Sequence, residues 1–288
     1  MARGTIITLP RIASPPLCRT FAAQAEKIWD DLWTARISGI NRSEETITDD
    51  FLLDVWRAHP REVTTFQFNK NEESFTGADW EWWLTDGRQW VGLLIQAKRL
   101  GPKSGKYEAI RHWVQSAGMW QIDRLQQQAS RKGIDPLYCF YNYCPAWPEG
   151  LTWKCCVASL KLELLGCTVA HATAVQRQLA QGGAGLPKMS RVSYPLACLV
   201  CCPGATDPDR TLPTRAYDVT ARLRMMAEMG ADALSKAEDI VALRDHPPSY
   251  VERLLDCPPE ERPRVIEEIR HEAGDIGSLV VIREQPAV

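Results

Sequence analysis

Apolar positions along this chain recur with a helical repeat in some stretches and with a repeat of two in others, and each repeat predicts an element. Phe21, Ala25, Ile28, Trp29, Leu32 and Trp33 share one side of a helical wheel, which predicts an amphipathic helix over 21–37 ended by Gly39. A second helix is expected from Thr48, whose hydroxyl would cap it, with Asp49 and Asp50 in its first turn, Ile47 stapled onto Leu52 and His59-Pro60 closing it. Residues 62–68 then carry Val63, Thr64, Thr65, Phe66 and Phe68, side chains that suit a strand, and the polar stretch 69–73 connects it onward. Segments 77–84 and 90–99 are two further strands, and Thr85-Asp86-Gly87-Arg88 between them favours a tight hairpin. Gly101-Pro102 breaks the sheet.

From 106 to about 131, the residues Ile110, Val114, Ala117, Gln121, Leu125 and Gln128 lie within about 60° of one line at a helical repeat, which predicts one long helix. Gln121 stands at the centre of that apolar stripe. Strands over 137–143 and 152–157, a helix over 168–181 ending in Gly182-Gly183-Ala184-Gly185, and a late strand over 192–202 follow. Beyond Pro203 come helices over 216–229, 249–255 and 260–273, and a short apolar run over 279–282. The order of helix, three meandering strands, crossover helix and strand predicts an α+β, or mixed α/β, fold. It divides the chain into an N-terminal helical segment (1–41), a core with an extension (42–203) and a helical C-terminal region packed on that core (204–288).

Composition narrows the partners. The 288 residues are 45% hydrophobic and 24% charged, as in ordinary globular proteins, and the formal charge of −2 gives no global attraction for nucleic acid. A nucleic-acid partner would have to be held by a local basic patch. No apolar run approaches the roughly 18 residues of a spanning helix, and the N-terminus lacks a secretory apolar core, so no membrane partner and a cytoplasmic location are expected. Ten cysteines are present, but the adjacent pairs Cys155-Cys156 and Cys201-Cys202 lack finger-like spacing. Cys198 and Cys201 form one CxxC-spaced pair, read either as structural zinc ligands or as small buried hydrophobes; the thiols are expected to stay free in a reducing compartment.

The candidate chemistry sits on the predicted hairpin. Asp79 and Glu81 share one face of their strand, Gln96 and Lys98 share one face of theirs, and coincidence of the two faces would bring four polar groups together. Phosphodiester hydrolysis uses such a set. Carboxylate oxygens and a backbone carbonyl, here that of Ala97, would hold Mg²⁺ or Mn²⁺, and a lysine would position water or offset developing charge. Each residue also has a plainer reading: Asp79-x-Glu81 as a solvated strand face, Gln96-x-Lys98 as an exposed edge, Gln121 as a buried amide bonded to backbone. Arg99, Lys103, Lys106 and Arg111 follow within a loop, where they would meet a phosphate backbone or merely aid solubility. Trp80, Trp82, Trp83, Trp90, Trp113 and Trp120 are candidates for base stacking, with packing between layers expected for most.

The run Thr76-Gly77-Ala78-Asp79-Trp80-Glu81-Trp82-Trp83, with Gln96-Ala97-Lys98-Arg99-Leu100, Gln121-Ile122-Asp123 and Phe140-Tyr141-Asn142-Tyr143, resembles the PD-(D/E)xK nuclease superfamily and, within it, an uncharacterised bacterial family of restriction-enzyme-like proteins. The resemblance covers about 42–143. It implies a restriction-endonuclease-like αβββαβ core, Mg²⁺-dependent cleavage of DNA and a place in bacterial defence against foreign DNA. It also implies Asp79 as metal-binding aspartate, Lys98 as the lysine, Glu45 (or Glu44) as the acidic residue of the first helix, and Gln121 as the polar helix residue. Gln96 stands where Asp or Glu is usual, similar to the Gln-x-Lys of Mrr-type enzymes, so the metal site has one carboxylate fewer unless Glu81 or Glu45 compensates. Two alternatives remain open: a non-catalytic member that binds nucleic acid or protein, and an effector subunit activated when a partner or small ligand engages the helical C-terminal region; a homo-oligomer or a protein partner is compatible with each.

Overall fold

The computed structural model describes residues 16–68, 78–145, 161–202, 210–228, 242–274 and 276–284. In chain order the described residues form α1 (Pro16–Ser38), α2 (Glu44–Ala58), β1 (Val63–Gln67), β2 (Ala78–Thr85), β3 (Trp90–Arg99), β4 (Trp113–Val114) and β5 (Met119–Trp120), followed by α3 (Gln121–Lys132) and β6 (Asp135–Tyr141). Then come β7 (Cys167–His171), α4 (Ala172–Ala180), α5 (Leu186–Met189), β8 (Ser193–Pro195), α6 (Cys198–Cys201), α7 (Leu212–Glu228), α8 (Ser249–Asp256), α9 (Arg262–Ala273) and β9 (Ile276–Arg283). The expected loop 69–73, strand 152–157 and pair Cys155-Cys156 lie outside the described residues.

Among the described residues seven strands form one mixed sheet in the order β1-β9-β2-β3-β6-β7-β8, while β4 and β5 make a separate small hairpin. The fold is therefore mixed α/β. The β2–β3 hairpin has the expected antiparallel register, Trp80 opposite Ile95 and Glu81 opposite Leu94. β6 then runs parallel to β3, with Gln96 opposite Tyr138 and Lys98 opposite Phe140, after a crossover through α3. The expected meander of three strands is not formed. β9 separates β1 from β2, running antiparallel to β1 and parallel to β2. Its run Leu279-Val280-Val281-Ile282 is buried on both faces, which suits an inner strand.

Alternation along the strands divides the core in two. Trp80, Trp82 and Leu84 of β2, with Leu93, Ile95 and Ala97 of β3, face α1, α2, α6 and most of α7. Trp83 and Leu94, with Tyr138 and Phe140 of β6, face α3, α4, α8 and α9. Trp80 and Trp82 stack on one another with centroids 5.5 Å apart, and Phe51 of α2 stacks on both. Each such buried ring contributes on the order of 2–3 kcal/mol by leaving water. α1 is seated by Phe21, Ala25, Ile28 and Leu32. Its approach to the 3-10 turn Leu162–Gly166 before β7 requires glycine at 166, where a Cβ would lie 2.0 Å from the Ala25 carbonyl oxygen.

Five local expectations are corrected. Ser43, not Thr48, caps the second helix, accepting from the Thr46 amide at 3.1 Å; Thr48 lies inside it and bonds the Glu44 carbonyl. The predicted long helix over 106–131 is a 3-10 turn, the β4–β5 hairpin and α3, because Gly118 adopts a left-handed conformation (φ 60°) that turns the chain. Gln121 consequently opens α3 instead of sitting mid-helix. The helix expected over 168–181 begins only at Ala172, its first part being β7, and the strand expected over 192–202 is the short β8 followed by α6. Cys201 and Cys18 form a disulfide between α6 and α1, so these two thiols are not free, while Cys198 is buried.

Candidate functional site

Asp79 and Gln96 face one another across the β2–β3 hairpin. Gln96 Nε2 donates to Asp79 Oδ2 at 2.5 Å and to its neighbour's carbonyl, Ala97 O, at 3.1 Å. The Ala97 amide donates to the same Asp79 oxygen at 2.8 Å. Gln121 reaches over from the first turn of α3, donating Nε2 to Gln96 Oε1 at 2.9 Å. Its start is fixed by the Gln121 amide bonding His112 O at 2.9 Å. Asp79, Gln96, Ala97 and Gln121 thus form one cluster, with Gln96 only 3% exposed.

Lys98, one alternation further along β3, is 5% exposed and lies 3.7 Å from Glu44 Oε2. The other Glu44 oxygen accepts from the Arg99 amide at 2.9 Å. The N-terminus of α2 is thereby tied to the end of β3. Of the two acidic residues expected there, Glu44 points to the lysine because the helix begins with it, whereas Glu45 is exposed about 100° further around the helix. The Ser43 cap was the signal for this start: a serine followed by two acidic residues suits a first turn better than Thr48 does.

Glu81 does not join the cluster. It is fully buried, its Oε1 accepting from Trp83 Nε1 at 2.7 Å and from the Tyr250 hydroxyl, its Oε2 from Lys132 Nζ. Lys132 also donates to the Ala273 carbonyl, so this carboxylate fastens α3, α8 and α9 to the sheet. Tyr138 is a site neighbour that the sequence reading missed. It pairs with Gln96 in the β3–β6 register and is fully buried. Among the described residues its hydroxyl has no hydrogen-bond partner. Burial first, then the Asp79 and Asp123 carboxylates, hold that hydroxyl protonated far above its ordinary range. An alternating strand residue opposite a candidate ligand was the available clue.

A second buried set, unforeseen in the sequence, lies at the start of β6. Both carboxylate oxygens of Asp135 accept from Arg224 Nη1, at 2.5 and 2.6 Å, and Oδ1 sits 3.8 Å from His171 Nε2. His171 caps α4, its Nδ1 accepting from the Thr173 amide at 3.3 Å. Burial pulls its pKa down to about 4, against the pull of Asp135 and with help from Arg224.

The predicted basic patch is only partly assembled. Arg99 and Lys103 line one groove. Lys106 is exposed beside it, and Arg111 is drawn away, donating to the Leu179 carbonyl at 2.5 Å. Of the tryptophans, 80, 82, 83 and 90 are buried; Trp113 and Trp120 are 44% and 46% exposed and pack edge to face on the β4–β5 hairpin that leads into Gln121.

Oxygen donors decide which metal the cluster suits. Among the described residues no three His, Cys, Asp or Glu side chains converge as a metal site. What converges is one carboxylate (Asp79), one carbonyl (Ala97) and one amide (Gln96), beside the orphaned Tyr138 hydroxyl. A half-turn of the Gln96 amide, with Gln121 turning in concert, exchanges donor and acceptor without changing shape and would present Oε1 to the place that Nε2 holds between two oxygens. Those are hard ligands, few in number, as Mg²⁺ accepts when water and phosphate oxygens complete its octahedron.

Fold and site together define a mixed α/β protein with a half-buried polar cluster near the carboxyl ends of two parallel strands. Residues 17–286 match the model of a family described as "Family of unknown function (DUF6615)", and the chain belongs to that family. No curated protein and no solved structure matches it. Among the described residues, no helix is long and apolar enough to cross a membrane.

Proposed function

We propose that the cluster is the centre of a Mg²⁺- or Mn²⁺-dependent phosphodiesterase acting on DNA, on a restriction-endonuclease-like core of α2, β2, β3, α3 and β6 in which β9 stands between β1 and β2, in a cytoplasmic protein that defends a bacterium against foreign DNA. The observation that carries this reading is the joining of Asp79, Gln96, Ala97 and Gln121 in one hydrogen-bonded set, with Lys98 one alternation along the same strand. Asp79, Gln96 and the Ala97 carbonyl would hold the ion. Bound there, it would polarise a phosphoryl group and acidify a water. Lys98, oriented by Glu44, would place its ammonium where charge develops on the phosphate. Gln121 holds the Gln96 amide in plane, and Arg99 and Lys103 offer cations to the adjoining backbone phosphates.

Cleavage of linear, circular and single-stranded DNA with Mg²⁺ and with Mn²⁺ tests this. Asp79→Ala and Lys98→Ala should abolish cleavage while leaving the thermal midpoint within a few degrees; an unaltered protein inert on every form of DNA with both ions would sink the proposal. A second reading, a nuclease-like fold that binds nucleic acid or a protein partner without cleaving, is favoured by one observation. Asp79 Oδ2 already accepts two hydrogen bonds, from an amide side chain and a backbone amide, in place of a second carboxylate's company. Calorimetric titration with Mn²⁺ separates the two, since only the first predicts binding that Asp79→Ala removes.

A further inference from the structure

Just past Lys98, the carboxyl ends of β3 and β6 open into a groove of about 1010 Å³, walled by α1 and the turn after it, by the segments following β3 and β6, and by α5. A crevice outside the carboxyl ends of neighbouring parallel strands is where open α/β sheets bind ligands. The lining says which ligand. It combines the apolar Leu32, Leu100 and Leu186 with Arg36, Arg99 and Lys103, and no acidic side chain among the described residues contributes to it. That imbalance occurs in a chain with 36 acidic and 34 basic residues. Tyr143 adds an aromatic ring to the lining, and Trp33, 43% exposed, stacks on it with centroids 5.1 Å apart and planes at 26°.

Repeated negative charge together with flat exposed rings is the chemistry of unpaired nucleic acid; a duplex hides its base faces from such a groove. The volume agrees. It lies at the top of the range for small-ligand pockets, roughly 300–1,000 Å³, which holds a few nucleotides and not a double helix. We propose that the groove binds a single-stranded stretch of nucleic acid, with phosphates on Arg36, Arg99 and Lys103 and a base against the Tyr143–Trp33 pair. The role of that strand as substrate, leading to Lys98, rests on the phosphodiesterase reading of the neighbouring cluster; its binding does not.

The test is fluorescence anisotropy with the full chain in EDTA, using a labelled ten-nucleotide single strand, its duplex and polyglutamate as probes. The single strand should bind at least tenfold more tightly than the duplex. Trp33→Ala should weaken it about tenfold, within the range expected for stacking on one aromatic, roughly 5- to 150-fold. Arg36→Glu with Lys103→Glu should weaken it at least as much and flatten its salt dependence. All three positions are exposed, so circular dichroism should show folded variants; quenching of tryptophan fluorescence by the strand in the unaltered protein is a readout that needs no variant. Equal or tighter duplex binding, strand binding indifferent to both variants, or no quenching would overturn the proposal. So would groove-dependent binding of polyglutamate alone, which would assign the groove to an acidic peptide. DNA cleavage with groove-independent strand binding would remove the groove and spare the phosphodiesterase; groove-dependent binding by a protein inert with Mg²⁺ and Mn²⁺ would do the reverse.

Discussion

Glu81→Ala separates a carboxylate that builds the fold from the one proposed to hold a metal ion, although both stand on the same face of β2, two residues apart. Glu81 is fully buried and is the shared acceptor of Trp83 Nε1, the Tyr250 hydroxyl and Lys132 Nζ. Deleting one partner of a buried charged pair costs about 3–5 kcal/mol, because the other is left without its counter-charge. Lys132 keeps the Ala273 carbonyl and its side chain is 14% exposed, which places the loss at the lower end, about 3 kcal/mol. A chain of 288 residues unfolds with an entropy of about 0.6 kcal/mol per degree, so the midpoint should fall by about 5 °C. Glu81→Gln keeps an acceptor oxygen and should lose roughly half as much. Differential scanning calorimetry measures both, and cleavage assayed 20 °C below the lower midpoint should be unchanged. A midpoint within 1 °C of the unaltered protein's, or cleavage lost at full foldedness, would refute this account and return Glu81 to the metal site.

Three further outcomes follow from the same geometry. Gln96→Glu puts a second carboxylate against Asp79, so Mn²⁺ should bind about tenfold more tightly by calorimetry while the metal-free protein loses stability from the paired negative charges. His171, with its pKa lowered to about 4 by burial, stays neutral in the folded chain while the unfolded chain takes a proton below about pH 6.5; stability should fall from pH 6.5 toward 4, by up to about 3 kcal/mol, and level off below that. Urea unfolding of His171→Asn, which keeps a capping acceptor, should lack that slope. Cys18→Ser removes the Cys18–Cys201 link between positions 183 apart, for which chain entropy gives a stabilisation of about 5 kcal/mol as an upper figure; the thermal midpoint of the unreduced variant should drop, and reductant, which also opens the disulfide at Cys202, should lower it further.

Local signals carried much of the fold. α1 was legible from its apolar spacing, α7 to α9 from the change in composition beyond Pro203, and the β2–β3 hairpin from its Asp-Gly turn between strand-forming runs. The stretch before α3 misled because Ile110, Val114 and Leu125 do all face the core, but from a 3-10 turn, a strand and a helix; burial at helical spacing does not require one helix. Gly118 was the residue that distinguished the two. In the site, Asp79, Gln96 and Lys98 were found by strand alternation, which is strictly local. Of Glu45 and Glu44, both offered by the resemblance, it is Glu44 that meets Lys98, because Ser43 and not Thr48 caps the helix. The diversion of Glu81 to Lys132 and Tyr250 left no trace at all, since those partners come from elements whose docking no neighbouring residue announces.

The position of β9 sets a timetable. A ribosome delivers β2 and β3 long before residues 276–283, yet the inner slot of the sheet beside β2 stays vacant until those residues emerge. A nascent chain must therefore carry β1 and β2 with unpaired inner edges through most of its own synthesis, exposed to pairing with other chains. Closure of the sheet, and with it the anchoring of Asp79's strand on both sides, comes as one late event. A chain cut short before residue 276 would hold every residue of the cluster and lack the strand that braces it.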